Sequence, residues 1–285
     1  MKETNSGISV IILTFNEEKN ISLCIDSLSG LSSDIFIVDS GSTDKTLEIA
    51  KNYTDKIYSN KFENYSQQRN WALDNLPISS DWVMNIDADH RVTPELSNEL
   101  QKTFSGSIPG NINGFLISRR TVFMGRWIRH GGHYPAYHAV LFRRGYGRCE
   151  DRKYDQHFVI SGEVRKLNGD IIDVVTDSLS RFTTRHNVWS DLEADEHTEK
   201  FNNNNQISAK LSGNQIERKR FLKISYYKFP LFLRAFLYFC YRYFFRLGFM
   251  DGKEGLIFHF LQGFWFRFLV DAKIYERIKA RDSEI

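Results

Sequence analysis

Cysteine is scarce in this chain, net charge is nearly absent, and no long apolar run opens it. Three cysteines in 285 residues, Cys24, Cys149 and Cys240, are odd in number, widely spaced and outside any C-x-x-C pattern. That count excludes a disulfide framework and a cysteine-based zinc site, and predicts reduced thiols in a cytoplasmic compartment. The first apolar run, residues 8–13, is too short for a signal sequence and reads as a first β-strand. The formal net charge of +3 hides an uneven distribution. What is abundant is ordinary: 41% apolar and 26% charged residues describe a globular protein.

The charge asymmetry is informative. From Glu217 onward 14 Lys/Arg face 7 Asp/Glu, a local net of +7 that leaves −4 for residues 1–216. Of 41 aromatic residues, 19 fall between Phe221 and Phe268. Residues 221–249 and 252–278 therefore read as two long aromatic helices. At about 100° per residue, Arg234, Arg242 and Arg246 share an arc of about 120°. A basic stripe opposite an aromatic face suits a helix lying in the membrane interface, and a central Arg argues against a span. The competing reading is a hairpin that packs on the rest of the chain or on a second copy of it, giving a homo-oligomer. No nucleic-acid partner is expected.

The first hundred residues alternate strand and helix. Strands are expected at 8–13, 34–39, 57–58 and 82–87. Helices are expected from a cap at Asn16 through residue 28, then around residue 47, at 65–76, and at 94–104 with Pro94 in its first turn. This order predicts a mainly parallel, doubly wound α/β sheet. Short strands follow at 114–118, 139–143, 156–160 and 171–175, with a Gly-, His- and Arg-rich loop at 126–137. A polar helix over 188–202 leads to a linker at 203–216. The expected domains are thus a catalytic domain over 1–202, with a nucleotide half (1–110) and an acceptor half (111–202), and a helical region over 217–285.

The chemistry gathers at strand ends. Asp87-Ala88-Asp89 follows the apolar run 82–86, which delivers two carboxylates to the C-terminal edge of the sheet, where open α/β sheets bind ligands. Two hard oxygen ligands at that spacing suit Mg²⁺ or Mn²⁺, and such a metal suits a diphosphate. Thr14-Phe15-Asn16-Glu17-Glu18 and Asp39-Ser40-Gly41-Ser42-Thr43-Asp44 end strands facing the same edge. Singly, Asp39 and Asp44 could cap the next helix and Glu17 could complement its dipole.

Read in order, I-I-L-T-F-N-E-E, I-V-D-S-G-S-T-D-K-T, Q-R-N-W-A-L and N-I-D-A-D resemble the nucleotide-binding half of family 2 glycosyltransferases with the GT-A fold. Within that family the chain is most similar to the inverting sugar transferases of bacterial lipopolysaccharide core and surface-polysaccharide assembly. The resemblance implies a GT-A catalytic domain and metal-dependent transfer from a nucleotide-sugar, with a UDP-sugar favoured, to a glycan or glycolipid acceptor. It also implies work at the inner face of the cytoplasmic membrane, where the basic aromatic helices would meet an anionic surface. Donor contacts then fall to Thr14, Asn16, Glu17, Asp39, Ser40, Gly41, Arg69, Asp87 and Ala88. Asp89 and Asp87 become metal ligands, with Asp173 or His186 as a further one.

An inverting transfer needs a base for the acceptor hydroxyl. Asp155 is the first candidate, at the start of an expected strand, with Glu150 and Asp151 as alternatives. Arg120, His130, His133 and Tyr134 are expected to line the acceptor or diphosphate pocket. Two rival readings are a nucleotidylyltransferase and a non-catalytic, membrane-associated nucleotide-sugar-binding protein. The first would need a glycine-rich basic loop after strand one, where this chain has Thr-Phe-Asn-Glu-Glu. The second leaves the acidic edge without a purpose.

Overall fold

A computed structural model describes residues 7–175, 178–198, 209–213 and 215–283. Four strands form the parallel part of the main sheet: β1 (Ile8–Thr14), β2 (Ser32–Asp39), β3 (Ile57–Ser59) and β4 (Trp82–Asp87). The β-branched run of β1 is buried at every position. Its side chains alternate between two cores, Ile8, Val10 and Ile12 on one face and Ile11 and Leu13 on the other. A strand with apolar layers on both sides must be apolar throughout, which is why this run is continuous. The helices α1 (Ile21–Asp26), α2 (Thr46–Ala50), α3 (Tyr65–Asn75) and α4 (Pro94–Ser105) complete this part. Asn64 caps α3 through Gln67 N–H, and Thr93 caps α4 through Leu96 N–H with Pro94 at the first position.

The remaining strands are β5 (His90–Val92), β6 (Ile112–Phe123), β7 (Arg126–Trp127), β8 (Tyr137–Arg143), β9 (Gly147–Cys149), β10 (Phe158–Ile160) and β11 (Glu163–Val174). Among the described residues the main sheet runs β3-β2-β1-β4-β8-β6-β11-β5, with β7 beside β6. The β4–β8, β8–β6, β6–β7 and β11–β5 pairings are antiparallel, and β9 and β10 form a separate antiparallel pair. The sheet is therefore mixed, with its parallel strands gathered in the first hundred residues.

The chain divides into two compact units. One comprises Met1–Arg119, Ala136–Asp151 and Gln156–Asp173; the other comprises Arg120–Pro135, Arg152–Asp155 and Val174–Ile285. The second unit is helical, with α5 (Leu179–Thr198), α6 (Gln215–Tyr226), α7 (Leu233–Cys240), α8 (Gly252–Phe258) and α9 (Phe266–Ser283). Helix α5 starts nine residues before the expected position and lies along α9, tied by Arg277–Asp195 and Lys273–Asp191 pairs, both 2.7 Å. Half of the expected linker at 203–216, residues 203–208 and 214, lies outside the described residues, and its last two residues already belong to α6.

The expected helix over 221–249 is broken. Pro230 lacks the N–H a helix needs there, Phe232 adopts φ +67°, and the chain passes through a π-turn over Tyr241–Phe245 and a 3₁₀ turn over Gly248–Asp251. The expected basic stripe does not form either. Arg234 is buried, its Nη2 2.6 Å and Nε 2.8 Å from Asp271 Oδ1. Arg242 turns inward and donates from Nε to Gly131 O (2.6 Å) and from Nη1 to Tyr238 Oη (2.7 Å). Both guanidinium groups found partners far away in sequence, which outweighs any helical-wheel pattern. Of the three arginines only Arg246 is exposed, and it is surrounded in sequence by outward apolar groups: Phe236, Tyr241, Phe244, Phe249 and Met250 are exposed, and Phe245 is 80% exposed. Among the described residues no helix is long and apolar enough to cross a membrane.

Candidate active site

In the first unit, three strand ends and one returning strand assemble a polar edge. Strand β4 ends in Asp87, and the turn Ala88-Asp89 leads directly into β5. Asp87 N–H donates to His90 Nδ1 at 3.1 Å. That bond requires a lone pair on Nδ1, so the neutral ring carries its proton on Nε2. Nε2 lies 3.7 Å from Asp87 Oδ2, 3.9 Å from Asp89 Oδ1 and 4.0 Å from Asp173 Oδ1. The antiparallel register of β11 with β5, which sets Asp173 opposite His90, brings in the last of these carboxylates.

Arg69, on α3, donates from Nη2 to both Asp87 oxygens at 2.8 and 3.0 Å. Burial works against ionising Asp87, but Arg69, His90 and Arg119 outweigh it and hold its carboxyl below the usual range. His90 is lowered too, to about 4, first by burial and then by Arg119, against the pull of Asp87 and Asp173; in a histidine a lowered value disfavours the charged form. It is therefore a neutral ring among carboxylates. Arg119 completes the group at 3.4 Å from Asp173 Oδ2.

Ligand atoms of Asp87, Asp89 and His90 lie within 4.8 Å of one another. Two adjacent carboxylates fit a hard divalent cation. Ligation by His90 would require it to give up the Asp87 N–H bond or its Nε2 proton, so its placement suits holding the carboxylates instead. Its role was missed in the sequence reading, although it is the residue immediately after Asp87-Ala88-Asp89.

The ends of β1 and β2 are tied to each other. Asn16 is at φ +54°, so it does not cap a helix; its N–H donates to Ser42 Oγ (2.8 Å) and its Oδ1 accepts Thr43 N–H (2.8 Å). Glu17 N–H donates to Thr46 Oγ1 (2.7 Å). Asp39 is buried and accepts from Gly41 N–H (2.8 Å), Ser42 N–H (2.9 Å) and Ser42 Oγ (2.5 Å), and Gly41 takes φ +97°. Its carboxylate builds the turn. Ser40 Oγ accepts from Gln68 Nε2 at 3.1 Å. Thr14 Oγ1 is buried without a partner among the described residues, a polar atom left at the mouth of β1. Ala88 is buried beneath the Asp87–Asp89 turn, and Cys24 Sγ lies 3.6 Å from Asp87 O.

The three candidate bases differ in setting. Glu150 is fully buried, accepts His157 N–H at 3.0 Å through Oε2, and takes the Ser66 hydroxyl on its backbone carbonyl. Asp151, the next residue, is exposed. In the second unit, Asp155 stands at φ +55°, with Oδ2 3.0 Å from Lys223 Nζ and 3.7 Å from Arg220. It starts no strand, because β10 begins at Phe158.

The remaining candidates also lie in the second unit. His186 is a packing residue: buried, stacked on Phe182 at 3.8 Å, its Nδ1 2.8 Å from Phe182 O. Burial lowers it to about 4. His133 packs on Phe258 at 4.6 Å, and burial with Arg242 and His259 holds it well below the usual histidine range. His130 is more open and is bonded to Asp251, while Tyr134 meets Trp127 edge-on at 5.0 Å. Arg120 lies over the same indole at 4.8 Å.

Comparison with known proteins gives consistent findings. The sequence profile described as Glycosyl transferase family 2 matches residues 9–163. A lipopolysaccharide core biosynthesis glycosyltransferase, LpsC of Rhizobium meliloti (strain 1021), is 30% identical over 286 residues, covering 97% of this chain and 95% of that protein. An uncharacterized glycosyltransferase of Rickettsia typhi (strain ATCC VR-144 / Wilmington) is 36% identical over 98 residues, 34% of this chain and 33% of its own length. Among solved structures, S. aureus TarS 1-349 in complex with UDP-GlcNAc aligns with a TM-score of 0.43 and 17% identity, over 68% of each chain.

Proposed function

The chain belongs to glycosyl transferase family 2 and is a glycosyltransferase of GT-A architecture, and from that premise we propose that it is a metal-dependent, inverting enzyme of bacterial lipopolysaccharide-core or surface-polysaccharide assembly. In this reading a nucleotide-sugar, a UDP-sugar by preference, gives its sugar to a lipid-linked or polysaccharide acceptor. The observation that carries the reading is the Asp87, Asp89, His90 group at the end of β4, inside the family-matched segment.

Asp89 and Asp87 are the residues that would hold Mn²⁺ or Mg²⁺, which when bound supplies Lewis-acid neutralisation of the departing nucleoside diphosphate. Arg69 fixes the Asp87 carboxylate from one side and His90 faces it from the other. Asp173 supports the group through His90 and Arg119. The tied turns of Asn16–Glu17 and Asp39–Ser42 present a preformed edge to base and ribose, with Thr14 Oγ1, buried and unpartnered among the described residues, at the mouth of β1.

For the base, Asp151 is preferred. Asp155 is already engaged by two cations, Lys223 and Arg220. Glu150 is sealed from solvent, while Asp151 beside it is exposed on a segment that Glu150 anchors. Asp151 would take the proton of the attacking acceptor hydroxyl.

The exposed aromatics of α7 and the π-turn after it, in a region of net positive charge, support docking on an anionic membrane surface. Insertion would be aromatic, since Arg234 and Arg242 face inward.

The test is nucleoside diphosphate release across a panel of nucleotide-sugars with Mn²⁺ or Mg²⁺. Asp89→Asn should reduce release at least a hundredfold and Asp151→Asn should reduce transfer comparably, each a loss of about 3 kcal/mol. Undiminished release by Asp89→Asn refutes the metal assignment, and undiminished transfer by Asp151→Asn refutes the base.

A further inference from the structure

The loop after β7 holds polar groups that the donor edge does not use. Trp127 carries two guanidinium groups near one indole: Arg120 Cζ is 4.8 Å and Arg129 Cζ 5.4 Å from the ring centroid. The two cations are thus no farther apart than the sum of those distances. Arg129 is exposed and has no carboxylate partner among the described residues. Its neighbour Arg126 is different, with Glu254 at 3.8 Å from Nη1. Trp127 Nε1 is buried and lacks a partner among the described residues.

Beside Arg129, His130 is held twice by one buried carboxylate. Its N–H donates to Asp251 Oδ2 at 2.9 Å, and its Nδ1 lies 2.7 Å from Asp251 Oδ1. A carboxylate accepts, so Nδ1 donates, and the neutral ring presents its lone pair on Nε2. The loop is fixed as well: Gly131 N–H donates to Arg246 O at 2.8 Å, and a Cβ on Gly131 would stand 2.0 Å from His259 Cε1. A half-exposed imidazole oriented by a buried acid on a rigid loop is a prepared contact.

The chemistry of these groups differs and is complementary. Guanidinium groups near an indole select a planar or tetrahedral oxyanion by charge-assisted hydrogen bonds. An Nε2 lone pair accepts from a hydroxyl. An indole already occupied by cations is a poor platform for stacking a neutral sugar. We propose that Arg120, Arg129 and His130 form a recognition site for a sugar that carries an oxyanion, a phosphate or a carboxylate, and that the acceptor of this enzyme is such a charged glycan. The acceptor part rests on the glycosyltransferase reading given above.

The test uses the full chain and calorimetric titration with glucose 6-phosphate, glucuronate and glucose. At least one charged sugar should bind about tenfold tighter than glucose, the scale of one charge-assisted hydrogen bond. Which of the two does so separates phosphate from carboxylate. Arg129→Gln should lose most of that difference and Arg129→Lys only part of it, whereas Arg126→Gln should change it less than twofold. Equal binding of all three sugars, or an Arg129→Gln protein indistinguishable from wild type, overturns the proposal. UDP titrated into the same samples reads the donor edge separately. A protein that binds UDP but discriminates no charged sugar refutes this inference alone. One that discriminates charged sugars but binds no nucleotide refutes the proposed function alone.

Discussion

Replacing Arg69 by Met would separate the electrostatic role of the Asp87 pair from the cation-holding role proposed for Asp87. Arg69 donates to both oxygens of Asp87, whose side chain is 25% exposed against 12% for Arg69. Breaking a fully buried pair from one side costs about 3–5 kcal/mol, because the remaining charge loses its partner. Partial exposure lets water recover some of that loss, so about 2–3 kcal/mol is expected here, or roughly 3–5 °C in melting temperature for a chain of this length. The pH dependence gives the sign. Asp87 is held below the ordinary aspartate range in the folded protein by Arg69 and its neighbours. Its contribution is therefore present above about pH 4 and is lost as pH falls through the folded value. The gap between wild type and Arg69→Met should accordingly narrow toward pH 3. Divalent cation should then repay the variant more than the wild type, since it meets Asp87 without a competing guanidinium; saturation at 100 times the dissociation constant adds about 2.7 kcal/mol. The assay is thermal unfolding with EDTA and with millimolar Mn²⁺, on Arg69→Met and on Arg69→Met with Asp87→Asn. An unchanged melting temperature in EDTA, or an equal Mn²⁺ response in both variants, would refute the reasoning.

Two further predictions concern the second unit. Arg234→Met leaves the buried Asp271 carboxylate with the Phe232 N–H, at 2.7 Å, but without its cation, and should cost about 3–5 kcal/mol in chemical denaturation. Adding Asp271→Asn, which removes the charge and keeps an acceptor for that N–H, should restore a substantial part, and no restoration would count against the pair. His186 and His259, both buried and both lowered to about 4 chiefly by burial, take up protons in the unfolded chain first. Stability should thus fall as pH drops from about 6.5 toward 4, by up to about 3 kcal/mol per histidine. His186→Phe should flatten that slope in denaturation curves at pH 7.5, 5.5 and 4.5, and an unaltered slope would refute the assignment.

The legible parts of this chain are those where local pattern and final environment agree. Strands β1, β2 and β4 could be read because burial on both faces demands a continuous apolar run, and Asp87 and Asp89 because such a run must end at an edge. Asn16 was misread as a helix cap because its left-handed backbone depends on bonds to Ser42 and Thr43, 26 and 27 residues away. Arg234 was read as a surface charge because its partner lies 37 residues later. Asp155 was expected at the start of a strand, whereas its conformation is tied to Lys223, 68 residues distant. A helical wheel carries no information on such pairings. Pro230 was the local signal that the aromatic stretch would break.

The order of the sheet has a consequence for how the protein emerges during synthesis. Strand β4, which carries Asp87, has β8 as its outer neighbour, and β5, which carries His90, pairs with β11. A nascent chain that has released only its first 110 residues holds the β1, β2 and β4 ends of the polar edge, yet β4 still exposes a row of unpaired amides and carbonyls. That edge closes only after residues 137–143 appear, and Asp173 arrives later still. Vectorial folding of this enzyme is therefore delayed by non-local pairing. The interval in which an apolar, open-edged strand waits for its partner is where a translating ribosome, or a chaperone beside it, has most to protect.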